Sequence, residues 1–438
     1  MLLPVFFWYR DVPTYTHHRF NSSIIQYAKR KGKRFLDACS CVHTISEDVI
    51  TMKKQMRWLL YAMNFLAFFA ISMVNTQMIP FLSKLGYTVV QRGYILAANA
   101  VVAIAGQFLF GYLCDRFQRV KVFFFAAYVL LTASSFAMFL VERQTFWYHV
   151  FTVALMGGMV KVIMGLDETW MLEIDQENYG RLRASGALGL TIGSPIAGYL
   201  VRHFHYKSLL ISLGIVSVIL CWLIYKAKDA EKKEGERIRM ESVRQLLKNK
   251  GYLLLVLIYL LVYMIGTADQ YVVIDKMLDI GADTTAVGIK WALQSFMEVP
   301  LFLFSSKILE RFQTKTLLYF GTFMYGVKFL LYGFSFQPWM IILTAALQLV
   351  TLPIIMLTSK VLVKEITPQK LFSSAQMFAM AVFIGVSGLI TPLITSYLSK
   401  AFGYDWTLYI VAAFSIVPLL LIFCYVHYFQ KKTVKRSS

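Results

Sequence analysis

The amino-acid sequence predicts an all-α integral membrane protein, with about twelve transmembrane helices in two six-helix bundles. Three observations lead there. Hydrophobic residues make up 58% of the 438 residues and charged ones only 16%, against about 25% in soluble domains. The apolar residues come in runs of about 20, the length that crosses a bilayer as a helix. The Lys and Arg residues gather in short segments between those runs, as the positive-inside rule requires.

Residues 1–51 precede the first run and carry 7 Lys or Arg and 4 Asp or Glu. Their apolar stretch Leu2–Tyr9 is too short to span, and no basic region precedes it as in a signal peptide. They read as an N-terminal cytoplasmic extension or as a non-native upstream segment. MKKQMRW, from Met52, is a natural basic start for the first span.

Spans are predicted at 57–80, 90–113, 121–141, 146–168, 183–203 and 207–226, making a first bundle over 52–226. The segment 227–250 is dense in charge, holds no apolar run, and reads as a cytoplasmic linker. Spans then resume at 252–275, 285–308, 315–336, 338–362, 373–399 and 405–428, so 251–438 forms the second bundle and a basic tail. Arg116, Arg119 and Lys121 follow span two, Arg181 and Arg183 follow span four, and Arg311 and Lys315 follow span eight. Both termini are therefore expected in the cytoplasm, in a multi-pass protein of the cell membrane.

The net charge of +20 is explained by these loops, and nucleic-acid binding is excluded. The 5 cysteines form no CxxC pair, so neither a disulfide framework nor a metal site is expected. No phosphate loop, catalytic triad or HExxH motif is present. ATP-driven transport and enzymatic catalysis are disfavoured, and no cofactor is implied.

Two charge knots stand out. GYLCDRFQRVK runs from Gly111 to Lys121, and SKILERFQTK from Ser306 to Lys315. Aligning the halves sets Asp115-Arg116-Phe117-Gln118 against Glu310-Arg311-Phe312-Gln313. Each follows the second span of its half. Such a repeat points to a transporter built from two related bundles. Gly111 is expected to let helices approach closely. Asp115 is expected at a helix end, near Arg residues and the start of a neighbouring helix.

Ionisable groups inside the membrane are costly and usually functional. Glu298 and Lys328 sit centrally in spans eight and nine. Glu298 lies 13 residues before Arg311 and Lys328 lies 17 after it. At about 1.5 Å per residue both are roughly 20–25 Å from the turn and could share a depth. Asp269 lies in span seven, and Asp167 and Glu168 near the end of span four. Trp170, Trp291 and Tyr271 could stack on a ring or sugar face, or simply pack helices.

GYLCDRFQRVK resembles the loop 2–3 signature of the major facilitator superfamily, G-x-L-x-D-R-x-G-R-[KR]-[KR], with Gln118 in place of the usual Gly. YGRLRASGALG, MEVPLFLFS and ADQY narrow the resemblance to the lactose-permease, nucleoside-symporter and phenylpropionate-permease branch, over roughly 53–430. The resemblance implies a conformational latch at Gly111, Asp115, Arg116, Arg119, Glu310 and Arg311. It implies solute binding by Asp167 or Glu168 with Arg183, and proton coupling at Glu298. Leu190 stands where lactose permease has a stacking Trp. AALQLVTLP offers Ala345, Gln348 and Thr351 where that permease has a Lys, a His and a Glu. The Lys partner of Asp269 is therefore expected to be missing.

The function these features suggest is secondary transport of a small polar solute (an oligosaccharide, nucleoside or aromatic acid) by alternating access. Proton symport by a functional monomer is the expected mode, with Asp269 and Lys328 joining the coupling residues. GLTIGSPIAG, residues 189–198, partly echoes antiporters, so efflux of amphipaths is the alternative. A non-transporting sensor on the same fold is a second one.

Overall fold

The computed structural model describes residues 57–174, 179–229, 246–368 and 371–437. The predicted segment 1–51 and most of 227–250 lie outside them, as does Lys370. Among the described residues every regular element is helical.

In chain order the helices are α1 (57–75), α2 (Met78–Lys84), α3 (Val89–Phe117), α4 (Lys121–Leu140), α5 (Phe146–Ile174) and α6 (Tyr179–Lys226). After the linker come α7 (Lys250–Asp279), α8 (Thr284–Leu303), α9 (Ser305–Arg311), α10 (Thr314–Gly333), α11 (Pro338–Ala345) and α12 (Leu352–Ile366). The last are α13 (Phe372–Met380), α14 (Ser387–Phe414) and α15 (Ile416–Ser437). Among the described residues, eight helical stretches are long and apolar enough to cross a membrane. Helix is the form such runs must take, because it satisfies every backbone polar group internally where lipid offers no partner.

α6, of 48 residues, and the run Phe378–His427 that contains α14, of 50, are each far longer than one crossing, and each contains a residue outside helical geometry. These are His205 (φ 62°, ψ 176°) in α6 and Gly403 (φ 80°, ψ 171°) in α14. Both fall where the sequence places a boundary between spans. By contrast, spans 285–308 and 338–362 are not continuous. The first breaks at Phe304, after Pro300 has removed a backbone donor. The second tightens into a 3-10 turn at Ala346–Val350 and breaks at Thr351 (φ −109°, ψ −97°), just before Pro353.

Helix ends explain the first charge knot. α3 stops at Gln118, whose φ of 53° is the left-handed geometry that usually selects Gly. Its Nε2 donates to the Asp115 carbonyl at 2.7 Å, capping the helix with its own side chain. The acid at the start of α4 is Asp229, which accepts from the backbone N–H of Val120 and Lys121 at 3.0 and 2.8 Å. Asp115 itself lies in the last turn of α3. The close approach expected at Gly111 is absent, since an added Cβ there would meet nothing within 4 Å. α3 instead meets α5 at Gly106 and Gly158, where a Cβ would strike Val162 and Val102.

The two halves of the chain meet along α6–α8 and α3–α14. A Cβ on Gly198 would collide with the Thr284 backbone, and one on Gly288 with the backbone of Ser194 and Pro195. At the end of the molecule away from the linker, the buried Arg92 and Asp275 form an ion pair at 2.8 Å. Arg202 pairs with Asp283, and the Tyr94 and Tyr397 hydroxyls meet at 2.7 Å. There too the buried Lys276 donates to the carbonyls of Tyr332 and Gly333 at 2.8 Å each, neutralising the C-terminal end of α10.

Candidate functional site

The buried charges converge on Asp269, which is 3% exposed on α7. Lys328 of α10 donates to its Oδ2 at 2.6 Å. Lys290 of α8 donates to its Oδ1 and to its backbone oxygen, at 3.0 Å each. Gln294, one turn beyond Lys290, donates to Oδ2 at 2.6 Å. The missing Lys partner is thus a misreading. Asp269 has two lysines, both fully buried.

Glu298 joins the same set through an amide. Lys328 donates to Gln348 Oε1 at 2.7 Å, and Gln348 Nε2 donates to Glu298 Oε1 at 2.9 Å. Glu298 and Lys328 do share a depth, with Gln348 standing between them. The 3-10 turn of the broken span presents Gln348 to the set. Lys290, Gln294 and Glu298 recur every four residues, so one face of α8 carries all three. Two carboxylates and two ammonium groups then sum to zero, which is how charge is tolerated in so dry a place.

The groups contributed by the first half lie opposite. Asp167 is 2% exposed, inside α5 rather than at its end. The Arg183 guanidinium stacks 5.1 Å from the Phe68 ring and acts electrostatically on Asp167 and on Glu298. Lys360 of α12 interacts electrostatically with Glu168 and Arg183. Glu298 and Arg183 thus act on each other electrostatically across the boundary between the halves. Among the described residues, Asp167 Oδ1 and Lys360 Nζ are buried polar atoms without a hydrogen-bond partner. This set can clamp a polar solute, because a buried polar atom requires a partner.

Lys290, Lys360, Gln294 and the half-buried Lys161 of α5 are intramembrane polar residues that sequence reasoning passed over. The four-residue spacing on α8 was the legible signal for two of them. The latch residues lie apart from this site. Arg116 and Arg311 rest on the adjacent rings of Phe117 and Phe312, at 5.7 and 5.9 Å. Arg119 and Glu310 are exposed. Trp170 is a packing residue, edge-on to Phe124, with its Nε1 donating to the Lys228 carbonyl at 3.1 Å. Trp291 lies beside the site, its ring 4.5 Å from Lys290 Nζ. The half-buried Tyr271 borders a small gap with Asp275 and Ser396.

A model of the MFS_1 like family matches residues 57–422. The chain belongs to that family. Like other MFS proteins, it is a multi-pass membrane protein of the transporter fold. It is 22% identical over 310 residues to a maltose permease of Geobacillus stearothermophilus, covering 70% of this chain and 78% of that protein. It is 22% identical over 389 residues to a Na(+), Li(+), K(+)/H(+) antiporter of Planococcus maritimus, covering 78% and 89%. The crystal structure of the nucleoside transporter NupG superposes with a TM-score of 0.74 at 13% identity, over 85% of this chain and 99% of that one. This likeness concerns the MFS fold alone.

Proposed function

We propose that this protein is a secondary active transporter that moves a small polar solute across the cell membrane by alternating access, coupled to protons. The observation that carries the reading is the buried set Asp269, Lys290, Lys328, Gln294, Gln348 and Glu298, facing Arg183 and Asp167 of the other half. Intramembrane ionisable groups mark solute and proton paths. Asp269 is engaged by two ammonium groups, whereas Gln348 offers Glu298 only a neutral amide. Glu298 is therefore the proton carrier, and Asp269 holds the scaffold. Arg183, Asp167 or Glu168, and Lys360 bind the solute. The maltose permease relative supports a sugar-like cargo.

The topology proposed with it has twelve crossings. Among the described residues eight stretches are long and apolar enough to cross, and two of them are read as doubled at His205 and Gly403. α8 and α10, whose polar faces lower their hydropathy, supply the remaining two crossings. Both termini and the linker then lie in the cytoplasm, residues 52–226 and 251–438 form the two bundles, and a monomer suffices. The conformation is one in which the outer end is held shut by Arg92–Asp275 and Arg202–Asp283. Gly111, Asp115, Arg116, Arg119, Glu310 and Arg311 form the opposing, cytoplasmic latch.

The test is uptake of a small-solute panel into proteoliposomes, with and without an inward proton gradient, for wild type and Glu298→Gln. Accumulation that follows the gradient and is lost in the variant supports the reading. Accumulation intact in the variant refutes the role of Glu298. The antiporter relative favours a second reading, cation–proton exchange, which the same vesicles report as proton release on adding Na(+) or K(+).

A further inference from the structure

Among α8–α12 lies a groove of about 500 Å³, within the range of about 300–1,000 Å³ typical of ligand sites. It exists because two neighbouring spans break close together. α8 gives way to α9 at Phe304, and the 3-10 turn Ala346–Val350 interrupts the path from α11 to α12. Its lining is apolar, with Leu301, Phe304, Ile308, Phe312, Leu317 and Leu349 among the walls.

The rim carries the second observation. Lys307 Nζ lies 5.8 Å from the ring of Phe304, and the Arg311 guanidinium 5.9 Å from the ring of Phe312. Both rings line the groove, so both cations lie against residues of its wall. Lys315 opens α10 beside them, and Glu310 is the one opposing charge in this turn. Lys307 and Arg311 are exposed and four apart, so they share one face of α9.

We propose that this groove is a binding site for an anionic glycerophospholipid. An acyl chain fills the cleft, and the phosphate headgroup pairs with Lys307 and Arg311. Fixed cations at the membrane surface select anionic lipid, and only a hydrocarbon chain suits the lining. Gln348 of the buried charge set and Leu349 of the groove wall are consecutive residues of one 3-10 turn. The lipid therefore touches the element that positions the site, whatever the transported solute is.

The experiment is native mass spectrometry of the full-length protein, delipidated and titrated with dioleoyl-phosphatidylglycerol or dioleoyl-phosphatidylcholine. Wild type is expected to hold the anionic lipid roughly tenfold more tightly. Lys307→Gln/Arg311→Gln should bring it down to the phosphatidylcholine level. Thr316→Trp, which fills the groove from an exposed position on α10, should weaken both lipids. Equal binding of the two lipids by wild type, or an anionic preference intact in the double variant, overturns the proposal. So does unchanged lipid binding in Thr316→Trp. All these side chains are exposed, and a melting curve checks that each variant is folded.

Discussion

Asp269→Asn keeps the shape of the side chain and removes one charge. The two ammonium groups now at 3.0 and 2.6 Å from its carboxylate would face a neutral amide. The set changes from zero to one net positive charge, in a place where Lys290 and Lys328 are both fully buried. Breaking a buried pair by removing one partner costs about 3–5 kcal/mol. At about 2–4 °C per kcal/mol for chains of 150–250 residues, and less for one of 438, that is a fall of about 3–5 °C in apparent Tm. The assay is intrinsic-fluorescence melting of detergent-solubilised protein. Asp269→Asn/Lys290→Met restores zero net charge and should recover much of the loss, with a coupling of about 0.5–3 kcal/mol. A single variant that melts with wild type, or a double variant no more stable than the single, would refute the idea that neutrality holds these helices together.

The other predictions concern movement. Gly288→Val places methyl groups against the backbone of Ser194 and Pro195, which cannot move aside as a side chain can. It should part α6 from α8 and leave the outer end open, read as faster maleimide labelling of a cysteine placed at the buried Ser399; unchanged labelling counts against a packed seam there. Arg92→Gln leaves Asp275 buried without its 2.8 Å partner and should shift the same labelling in the same direction by roughly tenfold or more, since a buried charged pair outweighs about 1.4 kcal/mol. Slower labelling would show that the pair does not hold this end shut.

Much of the fold was legible because a bilayer imposes length and hydropathy on every crossing. The boundaries at His205 and Gly403 could be read even where the helices run on. The breaks at Phe304 and Thr351 could not, since Pro300 and Pro353 are also tolerated in unbroken membrane helices. The site was half legible. Asp269, Glu298 and Lys328 announce themselves as charges in apolar runs. That Lys290 and Lys328 both turn toward Asp269 depends on the rotation of α8 and α10 about their axes, which no single run specifies. Gly111 shows the converse. A small residue permits a close approach, but another helix must be there to make it.

The neutrality of the buried set has an electrical consequence. A charge moved through the full membrane field exchanges about 2.3 kcal/mol with it per 100 mV. With both acids ionised and both lysines protonated, Asp269, Glu298, Lys290 and Lys328 carry their displacements with opposite signs. When these helices shift as a unit, the voltage does almost no net work on the four of them. A proton on Glu298 adds one uncompensated charge to that unit. If Glu298 carries the proton, as proposed, the loaded movement responds to membrane voltage through that single charge, while the return of the empty set runs at nearly the same rate in polarised and depolarised membranes.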